Sequence, residues 1–292
     1  MQKWTIKGLL DWVNQYLSEK KVDSARLGAE LILSYILEKS RIELYTHFDM
    51  VVEKPQLDRL HQLVKRAGEH EPVAYLVGKC EFYSLEIFVD SSCLIPRPET
   101  ELLVEKAIDF LRRQGQQKPL VCDLCTGSGC VAAAIAKNHP SASIIATDIS
   151  EKALVIAAKN IAHHKLNDRV ELLCGDLFEP VIKHVDKDAF DLIVSNPPYV
   201  SAAEFQTLDR NVKDYEPQSA LLAGEAGLDV YRKIAANIDG HLKVGGAVML
   251  EIGYSQAEAV TKLLEAAAAF GSIKVEKDFA GNDRLITARK CQ

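Results

Sequence analysis

The segment VSNPPYV, residues 194–200, sets a primary amide, two prolines and a phenol ring at the end of an apolar run. Each proline lacks a backbone donor and locks its own φ, so the pair stops a strand and stiffens the chain around its carbonyls. The side-chain oxygen of Asn196 and the backbone carbonyl of Pro197 are two acceptors on a rigid frame. Pro198 holds that frame, and Tyr199 adds a flat face. Together they form a clamp for a planar N–H₂ group, provided a reactive partner is held beside it. Three other short stretches could hold one. DLCTGSGC, residues 123–130, puts a carboxylate (Asp123) before a turn in which Gly127 and Gly129 permit close approach of a ligand to the backbone; Cys125, Thr126 and Ser128 fill the turn. It lacks the third glycine of the dinucleotide fingerprint. Asp148 follows 19 residues after Gly129, a spacing that suits a carboxylate accepting both ribose hydroxyls of a nucleotide-bearing cofactor. GDLF, residues 175–178, adds Asp176 as an acceptor for an adenine amino group, with Leu177 and Phe178 as an apolar slot for the ring.

These residues belong together only if the fold brings them together. From residue 119 the chain alternates short apolar runs (PLVCDLC, SIIATD, RVELLC, FDLIVS, GAVMLEI, then SIKVEKD and DRLITARK) with amphipathic helical stretches. That rhythm predicts an α/β domain with a parallel sheet covered on both faces. Ligands in such sheets bind beyond the carboxyl ends of the strands, where all four stretches fall. Residues 1–72 read instead as helices. Leu9, Leu10, Val13 and Leu17 recur at helical spacing, as do Ala29, Ile32, Leu33, Ile36 and Leu37, then Leu57, Leu60, Leu63 and Val64. Asp23 or Ser24 is placed to cap the second helix, and Pro55 suits the first turn of the third. VAYLVGKCEFYSLEIFV, residues 73–89, alternates and carries aromatics, so residues 73–95 read as a linking hairpin or short strands. IPRPETE, residues 95–101, leads into the helix ELLVEKAIDFLRR and opens a domain spanning 96–292, in which Arg97 and Glu99 can shape the rim of the site.

Bulk properties narrow the function. The chain has 292 residues and a net charge of −6, with a pI near 5.8. Residues 1–75 carry eleven basic and eleven acidic side chains. Neither figure suits a broad basic face for DNA. The start is interrupted by Lys7, Gly8 and Asp11, unlike a signal peptide, and no apolar run is long enough to span a bilayer. Seven cysteines, an odd number scattered in apolar segments, fit thiols in a reducing compartment, hence a cytoplasmic protein. Cys122 and Cys125 form a C-x-x-C, with Cys130 nearby, but no second pair or spaced histidines complete a zinc set, so no metal is expected. His163 and His164 fall late in a helix, where such residues are favoured anyway.

The motif NPPY after a fourth strand resembles the (D/N/S)-PP-(Y/F/W) element of methyltransferases that use S-adenosylmethionine and modify planar nitrogen. The DLCTGSG turn and Asp148 look like the cofactor elements of the same group. The closer similarity is to the release factor glutamine methyltransferases: IPRPETE, DLCTGSG, VSNPPY, YEPQSALLAGEAGLD and AGNDRLI occur in that order across essentially the whole chain. This resemblance implies a Rossmann-like, seven-stranded class I methyltransferase domain behind a small helical domain that recognises the partner. It implies transfer of a methyl group from S-adenosylmethionine, leaving S-adenosylhomocysteine, to the side-chain amide of the glutamine in the Gly-Gly-Gln loop of class I peptide chain release factors. Residues 125–129 and Asp148 would hold the methionine and ribose parts, with Asp123 also a cofactor contact, residues 176–178 the adenine, and Asn196 to Tyr199 the substrate glutamine, with Asn196 also beside the cofactor. Two positions depart from the pattern: Cys125 stands where the family usually has glycine, and Leu177 stands where it usually has an aromatic.

The amide chemistry matches those parts. An amide nitrogen is a poor nucleophile because its lone pair is delocalised, so catalysis rests on holding nitrogen, methyl and sulfur in line. Acceptors for both N–H bonds gain strength as positive charge builds on nitrogen. The same clamp suits the exocyclic amine of adenine, flipped out of a nucleic acid and stacked on Tyr199; the acidic balance and the missing basic domain argue against that alternative. A non-enzymatic scaffold would leave NPPY and the glycine turn idle.

Overall fold

The computed structural model describes residues 4–267 and 270–291. It divides into two compact units, one running up to Lys79 with Asp209–Tyr215 added, the other comprising Cys80–Leu208 and the stretch from Glu216 onward. The division therefore falls at Lys79 rather than at residue 72, and a short later segment joins the first unit.

The first unit is helical: α1 (Ile6–Glu19), α2 (Ala25–Leu37), α3 (Arg41–Thr46), α4 (Lys54–Gly68) and α5 (Val73–Val77). Its core is the periodic set read from the sequence, with Leu9, Leu10, Val13, Leu17, Ile32, Leu33, Leu60 and Val64 all buried. Pro55 sits in the first turn of α4. Ser24 occupies the position before α2 but in a left-handed conformation, and its side chain makes no capping bond. Helix α3 escapes a periodicity search because it has only six residues; a Ser40–Glu43 capping box holds it. The stretch VAYLV is α5 rather than a strand. Pro72 opens it and Gly78, at φ +75°, closes it, so local end signals override the alternating pattern.

The second unit starts with a two-stranded hairpin, β1 (Lys79–Phe82) and β2 (Leu85–Phe88). Then come α6 (Thr100–Gln114), β3 (Leu120–Leu124), α7 (Cys130–Asn138), β4 (Ser143–Asp148), α8 (Glu151–His163), β5 (Val170–Cys174), β6 (Phe190–Ser195) and α9 (Ala202–Thr207). After α10 (Arg210–Lys213), which lies in the segment of the first unit, follow α11 (Asp229–Asn237), β7 (Leu242–Glu251), α12 (Ala257–Ala267), β8 (Phe270–Lys277) and β9 (Asp283–Lys290). Seven strands form one sheet in the order β5-β4-β3-β6-β7-β9-β8. The first five pair in parallel, as expected, but β9 runs antiparallel to both neighbours. The short link from β8 to β9 permits only a hairpin, since a parallel crossover needs a dozen residues or more. β3 and β6 are buried almost throughout, which explains their unbroken apolar runs. The strand order reverses between β3 and β6, and ligand crevices form at such switch points.

Candidate active site

At the carboxyl end of β3 the chain turns sharply into α7. Asp123 is 1% exposed; its Oδ2 accepts the Thr126 hydroxyl at 2.6 Å and the Ala132 N–H at 3.2 Å. This carboxylate therefore ties the turn to the first turn of α7. Burial, helped by the charge of Asp148, pushes its pKa up to about 7. Cys125 sits at φ +58° and Gly127 at φ +56°. The left-handed backbone at Cys125 is the conformation for which glycine is the default. Gly129, at φ +75°, faces α8 so closely that a Cβ would lie 3.1 Å from that of Ala157. Asn160, fully buried on α8, donates to the carbonyls of Ser128 and Phe88 and accepts from the Phe88 N–H. One amide thus fixes the glycine turn and the hairpin together.

β4 ends in Asp148. Its Oδ2 accepts the Gly127 N–H at 2.8 Å and its Oδ1 the Ser150 N–H at 2.9 Å. Burial raises its pKa. Ser150 caps α8, so Asp148 is left to its own loop and to the space in front of it.

β6 ends in the NPPY turn. The Ser195 hydroxyl donates to the Leu124 carbonyl at 2.7 Å. Asn196 Nδ2 donates to Thr100 Oγ1 at 3.0 Å, at the start of α6. The turn is braced from behind: Gln256 Nε2 donates to the Tyr199 carbonyl at 2.9 Å and to that of Gly227 at 3.1 Å. A Cβ at Gly227 would come within 2.3 Å of the Tyr199 carbonyl, so that glycine is required by close approach. Val200 exchanges backbone bonds with Leu221 and Ala223, which seats the 216–224 segment beside the turn. Glu216, 5% exposed, accepts from Arg97 and from the Ile95 N–H, joining that segment to the IPRPETE stretch. The Tyr199 hydroxyl approaches Glu251 Oε1 at 3.5 Å. Burial, with the Glu251 charge acting the same way, lifts its pKa to about 12, so the phenol stays protonated.

Glu251 closes β7, next to the end of β6, and is 2% exposed. Burial is the largest influence on its carboxyl and, together with the charge of Glu99, pushes the pKa up to about 7 against the opposing Thr100 hydroxyl, Arg284 guanidinium and Tyr199 hydroxyl. Tyr231, on α11, donates its hydroxyl to the Glu251 backbone carbonyl at 2.6 Å.

The ends of β3, β4, β5 and β6 surround a cavity of about 360 Å³. Of the residues singled out from sequence, Asp123, Cys125, Thr126, Gly127, Ser128, Asp148, Asp176, Leu177, Asn196 and Pro198 line it. Gly129, Phe178, Pro197 and Tyr199 do not. Phe178 is the clearest correction. Leu177 takes φ +50°, and Phe178 lies in the core stacked on His241, with ring centroids 4.4 Å apart; the ring serves packing rather than the slot. Asp176 lines the cavity but is paired with Lys233 at 2.6 Å. Cys122 and Cys130 are buried with thiol pKa values raised by burial. Among the described residues no group of three or more His, Cys, Asp or Glu is arranged to hold a metal ion, and no helix is long and apolar enough to cross a membrane. Sequence reading missed Thr100, Lys233, Gln256 and Glu251. The last could have been found by inspecting the end of the fifth strand as the first four were.

The strand order with one reversed strand, and a cavity at the carboxyl ends of β3, β4 and β6, define a class I methyltransferase. Family models agree: residues 8–78 match the PrmC N-terminal domain and residues 99–213 the methyltransferase small domain. The release factor glutamine methyltransferase of Rhodopirellula baltica is 41% identical over 98% of this chain and 97% of its own, and that of Geobacter sulfurreducens 39% identical over 98% and 97%. The chain belongs to the release factor glutamine methyltransferase family. Among solved structures, the hMettl16 catalytic domain, crystallised with the MAT2A 3'UTR hairpin 1, shares the fold with a TM-score of 0.57, covering 84% of each chain at 14% identity.

Proposed function

We propose that this protein transfers a methyl group from S-adenosylmethionine to the side-chain amide nitrogen of the glutamine in the Gly-Gly-Gln loop of class I peptide chain release factors, in the cytoplasm, with the N-terminal helical unit recognising the partner. The observation that carries this reading is the NPPY turn at the end of β6, whose Asn196 lines the same cavity as the glycine turn and Asp148, in a chain of this family.

The cavity suits the proposed donor. Each Asp148 oxygen accepts one backbone bond, and a carboxylate oxygen has capacity for more, which serves the ribose hydroxyls. A Cβ at Gly127 would meet nothing within 4 Å, so the backbone there is open to a ligand. Asp176 and Leu177 supply an acceptor and an apolar wall for the adenine. Bound S-adenosylmethionine supplies an electrophilic methyl on a sulfonium centre. The protein's residues do the rest. Asn196 Oδ1 and the Pro197 carbonyl accept the two N–H bonds of the incoming amide and fix its nitrogen toward the methyl. Tyr199 offers the flat surface against which the amide lies. These contacts strengthen as charge develops on nitrogen, so they favour the transition state over the bound substrate. Proton loss follows methyl transfer, once the nitrogen has become acidic.

The test is methyl transfer from a labelled donor to a purified release factor. Wild-type protein labels the factor and not its Gly-Gly-Gln variant carrying alanine for the glutamine. Asn196→Ala lowers kcat by about 10²–10³-fold, the range for loss of one preorganised polar contact to the transition state, while donor affinity stays within about threefold. Near-normal turnover of Asn196→Ala sinks the mechanism; transfer to DNA in place of the factor sinks the substrate.

A further inference from the structure

Tyr199 does not line the donor cavity, so the donor does not set where its ring stands. The stretch EIGYSQ, residues 251–256, meets Tyr199 at three points instead. Glu251 Oε1 lies 3.5 Å from its hydroxyl. Gly253 lies beside its ring: a Cβ there would sit 3.5 Å from Tyr199 Cδ2 and 2.9 Å from Gln256 Oε1. Gln256 Nε2 donates to its backbone carbonyl at 2.9 Å.

Gln256 is the fixed point of this loop. It is 8% exposed, and both ends of its amide are used. Nε2 also donates to the Gly227 carbonyl at 3.1 Å, and Oε1 accepts the Gly253 N–H at 3.0 Å. An N–H on one side and two carbonyls on the other admit only one orientation of a primary amide. From the other side the loop is tied to AGNDRLI, residues 280–286, none of which lines the cavity. The Ile252 N–H donates to the Arg284 carbonyl at 2.8 Å, and Arg284 Nη1 donates to the Ile252 carbonyl at 3.3 Å. Arg284 is held in turn by Asp278, whose Oδ1 accepts the N–H groups of Ala280 and Asn282. Joining β7 to α12 needs only a turn. A buried amide bonded to three separate backbone groups fixes a geometry as well.

We propose that Gln256 is a positioning residue: it holds the Tyr199 backbone carbonyl, while Gly253 leaves room for the ring, and so sets the plane against which the substrate amide lies. This rests on the reading of Tyr199 as that surface. Without the Gln256 donors the Tyr199 carbonyl loses its anchor, and the ring shifts relative to Asn196 and the Pro197 carbonyl.

The experiment uses the full-length protein with a release factor as substrate, reading kcat, KM for the factor and donor Kd separately. Gln256→Met, which keeps the volume and makes none of the three bonds, lowers kcat about ten- to a hundredfold, up to the loss that a misplacement of about 1 Å causes. Donor Kd stays at its wild-type value, because Gln256, Gly253 and Tyr199 all lie off the cavity. Gly253→Ala drives its Cβ against the Gln256 amide and gives a smaller loss of the same kind; it carries the test if Gln256→Met does not fold. In a Tyr199→Ala background either change lowers kcat by less than about twofold further, because residues acting through one group do not add. A general weakening of the fold multiplies with Tyr199→Ala and weakens donor binding too. Losses that multiply in that background, donor Kd rising in step with the fall in kcat, or near-normal kcat of Gln256→Met overturn the inference while leaving the Tyr199 reading intact. Near-normal kcat of Tyr199→Ala alone removes both.

Discussion

Two buried carboxylates flank the strand that carries NPPY, and they are treated differently. Asp123 lies near the end of β3 and Glu251 at the end of β7, the two neighbours of β6. They are 1% and 2% exposed, and burial pushes both up to about 7. Asp123 holds two donors, Thr126 and Ala132, on its Oδ2. Glu251 keeps one oxygen without a partner among the described residues. Equal residue class, burial and titration thus cover two tasks. One carboxylate holds a turn together; the other retains acceptor capacity beside the hydroxyl of Tyr199. The partners, and not the pKa, tell them apart.

Stability gives the largest test of that contrast. Asp123→Ala strands two donors in the interior and lowers unfolding free energy by about 3 kcal/mol, at 1–3 kcal/mol per unsatisfied group. Glu251→Gln removes a buried charge with no salt-bridge partner among the described residues and changes stability by less than about 1 kcal/mol, since losing such a charge is often neutral or favourable. Urea unfolding measures both; similar losses from the two changes abolish the distinction.

A second test sharpens what the two have in common. Each carboxyl has a folded pKa of about 7, above ordinary values of 3.8 for Asp123 and 4.5 for Glu251. The folded state therefore binds more protons than the unfolded state in that window. The stabilisation is complete below the ordinary values and is lost as pH rises through the folded ones. Asp123→Asn, which keeps an acceptor oxygen for Thr126 and Ala132, and Glu251→Gln each cancel part of this loss. Melting temperature of variant minus wild type therefore rises from pH 4.5 to 7.5, a window set by these folded and ordinary values. A flat difference curve for both contradicts the shared desolvation.

The smallest effect is at Cys125, next to the Asp123 turn. Its φ of +58° costs a side chain about 1 kcal/mol relative to glycine, and glycine returns a similar amount through the entropy of the unfolded chain. Cys125→Gly therefore leaves stability within about 1 kcal/mol, and binding of S-adenosylhomocysteine, followed by calorimetry, is no weaker. A larger loss shows that thiol packing outweighs the backbone strain.

Much of this was legible in the sequence where the physics is local. Helical periodicity located the core of the first unit, and the strand–helix alternation after residue 119 located the strands that end in Asp123, Asp148 and Asn196. The failures have local causes too. VAYLV alternates like a strand, but Pro72 and Gly78 close it into a helix. Phe178 follows the Asp176–Leu177 pair directly, yet the left-handed turn at Leu177 is followed by a ring packed on His241. The reversed β9 follows from the length of a turn and not from strand composition.

By itself the sequence determined which residues end which strands, because apolar runs and their terminators are properties of neighbouring residues. From that came the family, the NPPY turn and the glycine turn. Only the tertiary structure decided what stands behind the clamp. Thr100 begins a helix 96 positions before Asn196 and Glu251 ends a strand 55 positions after it. Thr100 reaches the Asn196 amide and Glu251 the Tyr199 hydroxyl because α6 is placed beside the end of β6 and because β6 and β7 pair in parallel. Spacing along the chain carries no trace of such a contact, since the pairing of strand ends is set by the burial of a whole sheet.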